Sequence, residues 1–174
     1  MTSQRILLIG GLALFLGSLG YGFFYDGFIL PARHTSLGYN FDMAINMAVK
    51  GDIAMAGAYA GQFGAENQAR ELLARIPVHL ALAGAMTTVP LWLAPRLEAS
   101  ERFKRILAFL LIGGGFLLPV GDYLQAATVS TGLGFYLVLA GYSWLALGLG
   151  GYLLYAVLYF WLQEGDPGGR QNRC

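Results

Sequence analysis

Between Arg75 and Arg96 the chain reads IPVHLALAGAMTTVPLWLAP, residues 76–95, with no Asp, Glu, Lys or Arg. At about 1.5 Å per residue this run makes roughly 30 Å of helix, the thickness of a bilayer's hydrocarbon core. Three other stretches meet the same test. Residues 6–28 form the first, entered at Arg5 and interrupted by Asp26. Residues 104–125 form the third, closing near Asp122, and residues 130–163 the last, uncharged from Ser130 to Gln163. That last run exceeds what a bilayer needs, so it must tilt, project or break, with Gly148, Gly150 and Gly151 as the expected weak point.

The fold class that follows is an all-α integral membrane protein. It is a four-transmembrane-helix bundle, one domain over residues 1–174, with an external helical segment over about 36–75 between the first two spans. A cytoplasmic tail occupies 164–174. Composition agrees, since 56% of residues are hydrophobic and 12% charged, about half the charged share of a soluble domain. A net charge of +1 without a basic cluster gives no footing for a nucleic-acid surface. Cys174 is the only cysteine, which excludes an internal disulfide or a Cys-rich metal site. The first span begins as a signal peptide would, after Arg5 and with Ser18-Leu19-Gly20 as a site to cut. Its apolar character continues to Leu30, longer than a signal peptide's, and predicts a retained anchor.

Orientation follows from the cations. The link between the second and third spans carries Arg96, Arg102, Lys104 and Arg105, and the next link carries none. The positive-inside bias therefore places both termini in the cytoplasm and residues 31–75 outside, in a bacterial inner (cytoplasmic) membrane. Trp92 and the Tyr155–Trp161 cluster mark the cytoplasmic boundary, and Tyr21 to Phe28 the other.

The external segment is harder to read. From Tyr39 to Val49 every odd position is apolar, the alternation of a strand. Its Ala and Met content favours helix and no second strand is at hand, so helix is expected. The uncharged run Ile53 to Ala65 is too short to cross and predicts an interfacial or re-entrant helix. Beyond it, Glu66 with Arg70 and Glu71 with Arg75 have the spacing of intrahelical ion pairs, and Pro77 predicts a kink.

Lipid gives apolar side chains no reason to prefer one another, so the helices must associate through close fit and small residues. Gly134, Gly141 and Gly148, seven apart, fall on one helical face. Polar mid-span residues are few: Thr87, Thr88 and Ser143, each able to bond within its own helix.

No GxxxxGK, HExxH, CxxCH or GxSxG motif is present. Candidate chemistry therefore rests on polar residues that the topology brings to the external end: Asp26, His34, His79 and Asp122. His34 and His79 are the only histidines, and imidazole is a frequent metal ligand. They are the candidate ligands of a haem b iron, with Asp122 or Asp26 orienting a ring, while a quinone hydrogen-bonded to His79 is the other cofactor reading. Interfacial charges in water explain the same residues without function. The expected role is a small polytopic subunit or accessory protein, its partners the lipid bilayer and a second copy or a larger membrane complex. The alternatives are a haem- or quinone-binding redox module and a small channel or carrier.

Overall fold

A computed structural model describes residues 2–127 and 131–164, and its regular elements are all helical. They are α1 (Ser3–Phe24), a π-helical turn (Tyr25–Ile29), α2 (Leu30–Val49), α3 (Ile53–Met86), α4 (Thr88–Leu93), α5 (Glu101–Ala126) and α6 (Thr131–Glu164). Ser130, Arg170, Arg173 and Cys174, with the tail beyond Glu164, lie outside the described residues. Four stretches are long and apolar enough to cross a membrane: Ser3–Val49, Ile53–Leu93, Glu101–Ala126 and Gly132–Tyr159. Their outward side chains are large and apolar, among them Leu12, Phe15, Phe109, Leu147 and Leu154.

The region between the first two spans departs from its expected shape. The first stretch runs for 47 residues, roughly 70 Å, without leaving helix. α3 adds 34 residues and passes through Pro77 without ending. The two pair antiparallel over their whole length, so residues 30–49 and 53–69 form a helical arm beyond the bundle. Gly84 meets the backbone of Gly11, the Ser18 hydroxyl donates to the Pro77 carbonyl at 2.7 Å, and the Tyr25 hydroxyl donates to the Arg70 carbonyl at 3.1 Å. Further out Phe41 packs on Phe63 and Tyr39 on Tyr59. The segment 53–65 is thus the first part of α3 and has α2 as its partner along its length. The same pairing redirects an expected ion pair. Glu66 reaches across to Arg33 at 2.9 Å, and Glu71 accepts from Asn67 at 3.2 Å.

The seam that α1 and α2 turn toward α3 has a measurable rhythm. Leu7, Gly11, Leu14, Ser18, Tyr21 and Tyr25 alternate steps of four and three, the 3.5-residue period of supercoiled helices. From Tyr25 the seam advances by four three times, through Ile29 and Arg33 to Leu37. It then resumes the shorter rhythm at Asn40, Ala44 and Met47. The π-turn supplies the extra residue.

A three-residue turn joins the arm's helices. Gly51 N–H donates to the Ala48 carbonyl and Asp52 N–H to that of Met47, both at 3.0 Å, the double closure that ends a helix on a left-handed residue. Gly51 has φ +81°, and the Asp52 carboxylate then accepts from Met55 N–H at 3.1 Å to start α3. Gly51→Ala places a Cβ in the left-handed region and is expected to cost about 1 kcal/mol. Thermal unfolding in detergent checks this, and an unchanged midpoint would show that the turn does not hold that conformation.

α5 and α6 form the tightest pair. A Cβ on Gly134 would stand 2.7 Å from the Gly121 carbonyl oxygen, and one on Gly148 2.8 Å from the Leu111 nitrogen. The glycines spaced by seven therefore serve packing within the chain. α6 also stays helical through Gly148, Gly150 and Gly151. It projects rather than breaks: Tyr155 packs on Phe103 near the start of α5, and nine more residues carry α6 roughly 13 Å further. Thr87 and Thr88 donate their hydroxyls back to the Gly84 and Ala85 carbonyls in the last turn of α3, and Ser143 donates to Leu139 within α6. At the same end as α5's start, Lys104 donates to the Ala94 and Leu97 carbonyls, and the Ser3 backbone amide donates to Glu101. That contact brings Arg5 to the end that carries Arg96, Arg102 and Arg105.

Candidate functional site

α3, α5 and α6 each contribute one polar side chain to a common point. α5 packs against both neighbours, so it lies between α3 and α6. On α5, Gly121 lets α6 approach backbone to backbone, and Asp122 follows it, facing inward at 3% exposure. His79 stands on α3 one turn beyond Arg75, and its Nδ1 lies 2.7 Å from Asp122 Oδ2. The pair is largely removed from solvent, with side-chain exposures of 14% and 4%. Tyr142 of α6 places its hydroxyl 3.2 Å from the other ring nitrogen, Nε2, with the two rings edge to face.

The chemistry of the three groups orders the protons. A carboxylate only accepts, so Nδ1 donates to Asp122 and Nε2 keeps its lone pair, to which the Tyr142 hydroxyl donates. The arrangement orients one ring nitrogen, holds it in one tautomer, and leaves it able to accept a hydrogen bond.

A cleft of about 370 Å³ opens next to this nitrogen. α3 supplies Val78, Leu82 and Met86, α5 supplies Leu118, and α6 supplies Leu145 and Leu149. Its polar end is His79 with Tyr142.

Of the four candidate residues, His79 and Asp122 come together and the other two do not join them. Asp26 is exposed on the π-turn, and His34 is exposed on the arm. His34 lies sixteen residues beyond Ser18, which sits level with Pro77, so it stands roughly 24 Å along the helix from the His79 region. The two histidines therefore do not form an axial pair for one haem in this chain. Among the described residues, no three His, Cys, Asp or Glu side chains converge on a point. Tyr142 was not among the residues singled out from sequence. It sits in the middle of an uncharged run, and only the register that the glycines impose on α5 and α6 brings it to His79.

No family model matches the chain, and neither does any curated protein or solved structure.

Proposed function

We propose that this chain is a small polytopic membrane subunit that assembles with other protein through its helical arm. The four long apolar helices cross a bacterial inner membrane in this reading. The end that carries Arg5, Arg96, Arg102, Lys104 and Arg105 faces the cytoplasm, and the arm stands on the opposite side.

The arm's surface carries the proposal. Tyr39, Phe41, Ile45, Val49 and Ile53 are each about half exposed or more, Val49 reaching 82%. Between residues 36 and 65 the charges are Asp42, Lys50 and Asp52 alone. In this reading lipid satisfies the bundle's apolar exterior, and the arm, whose α2 adds roughly 30 Å of helix past the bundle, stands in water. An apolar face in water favours being covered by protein. Phe41, Ile45, Ile53 and Phe63 also border a groove of about 540 Å³ on the hairpin, room for a partner's side chains.

Native electrophoresis of membranes solubilised in a mild detergent tests the reading. The wild-type chain is expected to migrate well above its 18.8 kDa monomer. The double variant Ile45→Glu/Val49→Glu is expected to release the monomer with unchanged helical circular dichroism. Each buried aliphatic side chain lost from such an interface weakens association by at least tenfold. A wild-type chain that runs as a monomer from native membranes would remove the basis of the proposal.

A further inference from the structure

We infer that the cleft between α3 and α6 binds a lipid-soluble quinone or quinol, held by Nε2 of His79 and the hydroxyl of Tyr142. The site lies within one chain, so it stands whatever the arm contacts.

Volume and access come first. At about 370 Å³ the cleft falls in the range of small-molecule sites, about 300–1,000 Å³. Leu118 forms its floor, and Val78, Leu82 and Tyr142 form an exposed rim on the outer surface of the helices. That surface is the one acyl chains would cover, so a ligand enters sideways from the membrane, its tail left among the lipids.

The polar end then selects the head group. Apart from His79 and Tyr142 the lining is apolar, which rejects a charged phosphate or an ammonium. Two adjacent hydrogen-bonding groups at the end of an apolar slot suit a neutral ring bearing oxygen. A quinol O–H donates to Nε2 in place of Tyr142, whose 3.2 Å bond is long and whose residue is exposed at the rim. A quinone carbonyl accepts from the Tyr142 hydroxyl. The ring is already fixed by a 2.7 Å bond to a buried carboxylate, so little ordering remains to oppose binding. A haem macrocycle fits less well, because the second imidazole stands far out on the arm.

The test is a titration of the purified full chain in detergent with decyl-ubiquinone, followed by quenching of tryptophan fluorescence. Trp144 lies two positions along α6 from Tyr142 and serves as the reporter. Saturable quenching is expected, with decyl-ubiquinone about tenfold weaker in Tyr142→Phe and its quinol form about tenfold weaker in His79→Gln, as the loss of one hydrogen bond implies. Ala146→Phe fills the cleft without touching the His79–Asp122 bond and is expected to abolish saturable binding. Because Tyr142 and Ala146 are exposed at the rim, both variants keep the bundle intact and the question answerable if His79→Gln fails to fold. Non-saturable quenching, or equal affinity in Tyr142→Phe and Ala146→Phe, would overturn the site. Equal competition by decanol would reduce it to a general alkyl groove. A Soret band in the purified chain, lost in His79→Gln, would replace quinone with haem.

Discussion

Gly114→Leu is expected to separate α5 from α6 and to cost well over 3 kcal/mol. Its Cβ alone would lie 2.7 Å from the Gly141 carbonyl oxygen and 2.8 Å from the Leu145 nitrogen. Both are backbone atoms of a helix, so neither moves without shifting α6 as a body. Overpacking a yielding core costs about 1–3 kcal/mol, and here nothing yields. Even Gly114→Ala is expected to cost about 2 kcal/mol for the same reason. Gly150, on the same pair of helices, has open space around its missing Cβ. Gly150→Ala is therefore expected to stabilise by about 0.5–1 kcal/mol, through the lower backbone freedom of the unfolded chain. Denaturation in mixed detergent, followed by circular dichroism, reads both. Equal midpoints for Gly114→Leu and wild type would mean that the helices do not touch at that level.

His79→Leu is expected to be the second large loss, at about 3 kcal/mol, because it leaves the Asp122 carboxylate buried without its partner. The attraction between the two groups offsets much of their desolvation, but removing one exposes the full cost of the other. The double variant His79→Leu/Asp122→Leu should then recover most of the stability, since two apolar side chains of similar size need no partner in a cleft already lined by leucine. The two single variants and the double form a cycle whose coupling term is expected to be large and favourable to the pair. Losses that simply add would show that His79 and Asp122 act independently.

The helices of the bundle could be read from charge-free runs because the membrane imposes a length and forbids charge. Boundaries set by packing were harder. The alternation at Tyr39, Phe41, Ile45 and Val49 suggested a strand's two faces, but on the helix Phe41, Ile45 and Val49 run down one side of the seam and Tyr39 flanks it from the other. The inner side is Leu37, Asn40, Ala44 and Met47. An apolar face outside mixed with a seam inside produces period two by coincidence. Gly51 and Asp52 mark the turn in the sequence, a stop followed by a cap, and they locate the arm's tip more firmly than hydropathy does. His79 and Asp122 stood out as ionisable groups near span ends, where charge is costly. His34 stood out for the same reason, yet the arm removes it from the bundle. Tyr142 gave no signal, since a tyrosine in an apolar helix is ordinary and its meaning lies in the register of α6 against α5.

The π-turn at Tyr25–Ile29 has a consequence for how this segment tolerates change. Gly27 and Phe28 are exposed there, and a Cβ on Gly27 meets nothing, so many side chains fit at both positions. Removing one of them is tolerated for a different reason. The π-turn holds one residue more than an α-helical turn, so a single deletion closes it to α-helix and leaves Leu37 and Asn40 facing α3. A second deletion finds no such slack, and because each residue turns a helix by about 100° it would swing that row off its mate. At this joint the genetic text is free in its letters and can spare one of them.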